Sequence, residues 1–238
     1  MPQYEYFWEG GPKFLQSENF RFGTDSVLLG NYANLSGVKN GIDLGCASGV
    51  LTLLSLARSS TIHMTGLELN REAAELARQN VEQNGYGDRG NIICGDIRDC
   101  RKLFPSGSFD LVMSNPPYFP AASGTISPRP GRAEARGEIT CSLKDLCAAA
   151  KWLCRWDGKA VFVHRQERLA ELLSTMSAYG LEPKRMRLVC HTFESPPSLV
   201  LVEGRRGGKP GMKVEPCLFL KTPDGEDTEE VRKIYHRI

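Results

Sequence analysis

The run Ser114-Asn115-Pro116-Pro117-Tyr118 follows the apolar stretch Phe109-Asp110-Leu111-Val112-Met113 and joins a carboxamide, two ring-locked residues and a phenol. Two consecutive prolines fix the backbone and strip it of donors, which leaves the Pro116 carbonyl as a rigid acceptor pointing outward. Together with the Asn115 side-chain oxygen it could accept both hydrogens of a planar NH2 group. Tyr118 could stack on the attached π-system. The chemistry that fits is substitution at an amino nitrogen. An Asn-Pro step alone also initiates turns, so this reading needs a second site to supply the incoming group.

That second site is visible upstream. Gly41-Ile42-Asp43-Leu44-Gly45-Cys46-Ala47-Ser48-Gly49 reads as a strand entering a small-residue turn and then a helix. Gly45 and Gly49 let the backbone pass close beneath a ligand, and a helix start offers unpaired N–H groups. The run departs from the dinucleotide fingerprint G-x-G-x-x-G and carries an acid before the turn. Asp43 would oppose a pyrophosphate but suits the ammonium group of a methionine moiety. Glu68 ends a second strand in Met64-Thr65-Gly66-Leu67-Glu68-Leu69, where α/β nucleotide folds grip a ribose diol. Asp96 ends a third in Cys94-Gly95-Asp96-Ile97, placed to accept from an exocyclic adenine amine. Either acid alone reads equally well as a helix N-cap. Three acids at three successive strand ends favour one shared site.

The elements that must hold these residues follow from periodicity. Short β-rich apolar runs near 41–46, 63–69, 91–96, 109–115, 158–164, 184–190 and 198–204 alternate with helical segments near 49–58, 71–84, 98–104, 143–156 and 166–179. This alternation predicts a parallel sheet flanked by helices. The last two strands are separated only by the neighbourhood of Glu194-Ser195-Pro196-Pro197, which predicts a hairpin and hence an antiparallel strand at one edge. The chain reads as one domain: an N-terminal extension over 1–40 with a hairpin at FLQSENFRFG and an apolar run at Val27-Leu28-Leu29, a core over 41–204, and a C-terminal decoration over 205–238. That decoration carries a Gly/Lys linker at 204–213, a short strand at Cys217–Leu220 and a polar helix from Asp227.

Composition excludes several classes. With 41% hydrophobic and 24% charged residues the chain is neither disordered nor fibrous. No apolar run approaches the roughly 20 residues of a membrane span, and MPQYEYFWEGG lacks the layout of a signal peptide, so a cytoplasmic protein is expected. The eight cysteines form no CxxC pair, which argues against a metal site; Cys46, Cys94, Cys154, Cys190 and Cys217 lie in or beside apolar runs and read as reduced core thiols. Between Leu181 and Lys213 the bases Lys184, Arg185, Arg187, Arg205, Arg206, Lys209 and Lys213 outnumber Glu182, Glu194 and Glu203. Such a stripe is either a solvated face or a polyanion-binding one. The long loop 119–140 carries Arg129, Arg132 and Arg136 directly after the motif. These three and Arg205 and Arg206 are the candidate contacts to a polyanion such as RNA.

Asp43-Leu44-Gly45-Cys46-Ala47-Ser48-Gly49 together with Asn115-Pro116-Pro117-Tyr118 resembles the Rossmann-like methyltransferases that modify amino nitrogens. Phe22-Gly23-Thr24-Asp25-Ser26-Val27-Leu28-Leu29 is similar, more narrowly, to the bacterial tRNA1(Val) (adenine-N6)-methyltransferase family, which acts beside the anticodon. The likeness spans about residues 14 to 204, and Ala47 stands where many members have glycine. It implies an α/β, Rossmann-like class I fold: a seven-stranded, mostly parallel sheet of order 3-2-1-4-5-7-6 with helices on both faces. It implies S-adenosyl-L-methionine as cofactor, tRNA as partner and an adenine N6 amine as methyl acceptor. Asn115, Pro116, Pro117 and Tyr118 would be catalytic, and Asp25, Asp43, Gly45, Cys46, Gly49, Glu68, Leu69, Asp96, Ile97 and Asn115 would contact the cofactor. Alternatives remain: a protein glutamine N5-methyltransferase, whose carboxamide could use the same acceptors, an rRNA base N-methyltransferase, or a non-catalytic RNA-binding module. A nicotinamide oxidoreductase is disfavoured by the missing G-x-G-x-x-G.

Overall fold

A computed structural model describes residues 4–15, 23–116 and 141–238. In chain order its strands are Tyr4–Tyr6 (β1), Lys13–Leu15 (β2), Asn40–Leu44 (β3), His63–Glu68 (β4), Gly90–Cys94 (β5), Phe109–Ser114 (β6), Cys154–Arg165 (β7), Leu181–Cys190 (β8), Pro197–Arg206 (β9), Lys213–Val214 (β10) and Leu218–Phe219 (β11). The α-helices are Thr24–Tyr32 (α1), Val50–Arg58 (α2), Arg71–Gln83 (α3), Cys100–Leu103 (α4), Leu143–Leu153 (α5), Leu169–Ala178 (α6) and Glu229–Ile234 (α7).

Across the main sheet the order is β5-β4-β3-β6-β7-β9-β8. Counted from β3, that is the order 3-2-1-4-5-7-6 implied by the resemblance. Two details differ from expectation. Among the described residues the sheet has nine strands, because β10 and β11 both add to β8 in parallel. The antiparallel strand is β9, and it lies inside the sheet between β7 and β8, not at the edge. The chain crosses over α6 to lay β8 one strand beyond β7, and the short 191–196 turn then returns β9 into the gap.

Residues alternate across the sheet. Leu111, Met113, Val161 and Val163 pack on one side with Leu28, Leu53 and Met64, while Val112, Ala160 and Phe162 pack on the other with Leu146 and Leu172. The N-terminal hairpin (Phe7, Phe14) and α7 (Val231, Ile234) join the first of these cores. α3 buries Ala73, Ala74, Ala77, Asn80 and Val81, one helical face, and is capped by Asn70, which accepts from the Ala73 amide at 3.0 Å. α5 begins with a reciprocal Ser142/Asp145 capping box.

The apolar run at 27–29 is the middle of α1, which buries Ser26 to Gly30 and Tyr32. A helix covered on most of its circumference has no polar stripe, so its sequence shows no helical period. The hairpin β1–β2 lies ahead of FLQSENFRFG and shares only Phe14 and Leu15 with it; residues 16–22 fall outside the described residues. The expected linker at 204–213 begins inside β9, which runs to Arg206.

Candidate functional site

The connections reverse direction between β3 and β6, and the crevice beyond the carboxyl ends of such strands is where open α/β sheets hold ligands. Ser114, 1% exposed, donates its hydroxyl to the Leu44 carbonyl at 2.7 Å and so latches the end of β6 to the end of β3. Asn115 therefore sits beside the turn that opens at Gly45. Its Nδ2 donates to Ser26 Oγ in α1 at 2.8 Å. Pro116 is buried, while Pro117 and Tyr118 lie outside the described residues. The roles of Ser26 and Ser114 escaped the sequence reading. Each is a hydroxyl next to an apolar run, and that was the available signal.

The turn itself is left-handed at alternate residues: φ is 72° at Gly45, 47° at Ala47 and 87° at Gly49. Glycine takes this conformation without cost, whereas an alanine there gives up about 1–2 kcal/mol. Glu68 secures the turn. Its Oε2 accepts from the Ala47 amide at 2.8 Å and its Oε1 from the Asn70 amide at 2.8 Å, so one carboxylate clamps the turn to the start of α3. Each oxygen keeps a further lone pair for a ligand hydroxyl. Asp43 is 1% exposed; Oδ2 accepts from Thr52 Oγ1 at 3.3 Å, and Oδ1 has no partner among the described residues. Desolvation raises the Asp43 carboxyl to about 7. The Cys46 thiol is buried against Gly66 and pushed well above its ordinary range by that burial, so Cys46 offers the crevice only its backbone.

At the ends of β4 and β5, Leu69 is an apolar side chain left 44% exposed, with Ile97 half-buried. Asp96 is already engaged. Arg98 Nε lies 3.0 and 2.9 Å from its two oxygens, and the Arg98 amide donates at 2.8 Å, so Asp96 caps the short 3-10 helix Ile97–Asp99. Hydrogen bonding from Arg98 holds its carboxyl below the usual range. Asp25 Oδ1 accepts from the Ser26 amide at 2.9 Å in the first turn of α1.

Asn80 of α3 and Asn84, which caps its carboxyl end, act as a substitute strand for β2. Asn80 Oδ1 accepts from Leu15 N at 2.8 Å and its Nδ2 donates to Leu15 O at 3.1 Å; Asn84 repeats the pattern on Lys13, 2.7 Å each way. The Asn80 Nδ2 also donates to Ser48 O at 2.9 Å, joining the N-terminal hairpin to the 45–49 turn.

The candidate RNA contacts divide. Arg129, Arg132 and Arg136 lie outside the described residues. Arg205 pairs with Lys159 and Arg206 with Leu181, which places both at the amino end of the sheet, away from Asn115. Much of the basic stripe is internal: Arg185 is held by Glu203 and Glu215, and Arg187 by Glu230 of the acidic tail. Cys46, Cys100, Cys147, Cys154 and Cys190 are buried, but Cys94 is exposed and Cys217 half-buried, a correction to the expected core set. Among the described residues no group of His, Cys, Asp and Glu could hold a metal, and no helix is long and apolar enough to cross a membrane.

Comparison with known proteins adds a family to this geometry. Residues 20–126 match the family model described as methyltransferase small domain. A protein of Shewanella halifaxensis named tRNA1(Val) (adenine(37)-N6)-methyltransferase is 34% identical over 168 residues, covering 71% of this chain and 65% of the relative. A Porphyromonas gingivalis protein of the same name is 32% identical over 191 residues, covering 78% and 74%. Among solved structures, an Agrobacterium tumefaciens protein described as a predicted O-methyltransferase aligns with TM-score 0.71 at 19% identity, over 90% of this chain and 96% of its own. A geranyl diphosphate C-methyltransferase from Streptomyces coelicolor aligns with TM-score 0.52 at 13% identity, over 71% and 72%. At these identities the structures bear on the fold alone.

Proposed function

The chain belongs to the bacterial tRNA1(Val) (adenine-N6)-methyltransferase family, and from that premise we propose that it transfers a methyl group from S-adenosyl-L-methionine to the exocyclic N6 of an adenine in tRNA. The relatives are named for adenine 37 of tRNA1(Val), and we take that nucleotide, in the cytoplasm, as the substrate of this chain. The whole chain serves as one methyltransferase domain, its two ends packed on the same core.

The observation that carries the chemistry is the placement of Asn115 at the switch between β3 and β6, bonded to Ser26 and adjoining the latch from Ser114 to Leu44. The crevice residues fit the cofactor: the unpartnered Asp43 oxygen matches an ammonium donor, Glu68 a ribose diol, and exposed Leu69 with Ile97 an adenine face. When bound, S-adenosyl-L-methionine supplies an electrophilic sulfonium methyl. Asn115 and the Pro116 carbonyl accept from the target NH2 and favour a pyramidal nitrogen, whose lone pair is otherwise delocalised into the ring. Ser26 and Ser114 hold that acceptor pair in place, which is where the rate advantage of orientation arises. The chain needs no general base ahead of attack, because the amine proton becomes acidic only after the nitrogen has gained its methyl.

Incubation with methyl-labelled cofactor and total tRNA, total rRNA or total protein in turn tests the reading. N6-methyladenosine in tRNA is expected. Label in protein glutamine or in rRNA would replace it with one of the other two acceptors.

A further inference from the structure

The amino end of the sheet carries a feature that methyl transfer does not use. Trp156 is 70% exposed. It projects from a bulged stretch of β7, where the pairing with β6 jumps from Cys154 to Lys159 and Asp157 has φ 60°. Its ring lies flat on the backbone of Gly207: a Cβ added there would meet Trp156 Cη2 at 2.4 Å and Cζ2 at 2.5 Å. Gly207 is in turn fixed by donating to the Gly180 carbonyl at 2.9 Å. One face of the indole is therefore supported and the ring is pre-ordered.

Four cations lie near it along β7 and β9. Arg205 grips Asp157 at 2.8 Å, Arg206 donates to the Cys154 carbonyl at 2.6 Å, Lys159 donates to the Asn34 carbonyl at 2.7 Å, and Arg155 pairs with Asp110. The Arg155 and Arg205 side chains are still 51% and 40% exposed. Among the described residues two carboxylates form ion pairs with these four bases, Asp110 and Asp157, while Glu182 lies opposite Arg205 in the sheet and Glu203 acts on Lys159 from a distance. A supported aromatic ring beside cations is the arrangement on which proteins stack unpaired bases while tracking phosphates. Phe109 pairs with Cys154 at the start of β6, a strand of six residues. Trp156 is thus about 20 Å from Asn115 along the strand direction.

We propose that Trp156, laid on Gly207 and near Arg155, Lys159, Arg205 and Arg206, is a second RNA contact that stacks on an unpaired base distant from the target adenine. The proposal rests on the reading of the chain as an RNA methyltransferase. It assigns the platform to a part of the folded tRNA that a short target loop does not contain.

Two measurements test it on the full chain with intact tRNA. Titration with tRNA should quench indole emission in the wild type, and Trp156→Phe should lose that quench. In methylation assays Trp156→Ala should raise KM for tRNA about tenfold at unchanged kcat, with Trp156→Phe restoring most of the loss. Neither variant should alter KM for an isolated target stem-loop. Unchanged KM in Trp156→Ala together with quenching that survives in Trp156→Phe overturns the platform. Quenching by tRNA that the wild type fails to methylate would support the platform and overturn the enzymatic reading instead.

Discussion

The carboxyl and amino ends of the same sheet are built from opposite chemistry. At the carboxyl end, helices begin, and the acids Glu68 and Asp96 accept from backbone amides of Ala47, Asn70 and Arg98. At the amino end, helices finish, and cations seek out their carbonyls. Arg206 donates to Cys154 O after α5, Lys159 to Asn34 O after α1, and Arg58 to Gly30 O and Ala33 O. The helix dipole sorts charge in this direction without any functional demand. The comparison teaches which residues exceed that baseline: Asn115 and the unpartnered Asp43 oxygen at one end, Trp156 at the other.

Substitution of Asn115 is the sharpest way to break the contrast. Asn115→Ala should lower kcat by about 10²- to 10³-fold, the size seen when one transition-state hydrogen bond is removed. Calorimetry should find cofactor affinity nearly unchanged; an equal loss of affinity would assign Asn115 to the cofactor instead of the amine. Glu68→Ala should weaken the cofactor at least tenfold, through loss of charge-assisted hydrogen bonds of about 1.5–3 kcal/mol each. Because Glu68 also clamps the turn, Tm should fall as well. A drop in Tm with intact affinity would leave Glu68 a purely structural clamp.

Asp43 sharpens the comparison through pH. Its folded pKa, raised to about 7, lies above the unfolded value, so the apo protein binds this proton more tightly when folded. Its contribution to apo stability is full below about pH 4 and is lost as pH rises through about 7. Cofactor binding should run the other way, strengthening about tenfold between pH 6 and 8 as the carboxylate ionises to meet an ammonium group. Asp43→Asn should flatten both trends. A cofactor affinity independent of pH would show that Asp43 supports the turn from below and meets no charge.

At the amino end, replacing Arg205 and Arg206 together should flatten the log–log salt dependence of tRNA affinity by about one to two units, with turnover at saturating tRNA unchanged. An unaltered slope would reduce this end to the helix-dipole baseline. The smallest effect belongs to Ala47→Gly. Release from φ 47° offsets the added chain entropy and should raise Tm by roughly 1–3 °C. A lower Tm would mean that the Ala47 methyl packs usefully.

Most of the strands and the acids at their ends were legible, because parallel strands buried on both faces write long apolar runs and their carboxyl-end turns write glycine and acid. What could not be read was what joins elements far apart in sequence. α1 hid because burial on nearly every side erased its period. The place of β9 inside the sheet was carried by the strand order that the resemblance implies and not by the residues themselves, because a short turn says that two strands pair, but not on which side the second one lies. Ser26, Ser114 and Asn80 hid because a single hydroxyl or amide has no pattern. Arg187 and Glu230 stood in two separate charge clusters, and only the fold shows that each answers the other.

The amide ladder from Asn80 and Asn84 to β2 also sets an order of events in time. Its bonds join residues 65 and 71 apart in sequence. During synthesis the N-terminal hairpin leaves the ribosome long before α3 exists, and at about 5–20 residues per second the wait is roughly 3–14 s. Until then the edge of β2 is open, with Phe14 beside it awaiting a core that has not yet been made. The hairpin is thus secured only once Asn80 and Asn84 have followed it. Slow translation between residues 15 and 84 should lengthen the period in which a nascent chain is captured by chaperones, and Asn80→Ala should extend it further.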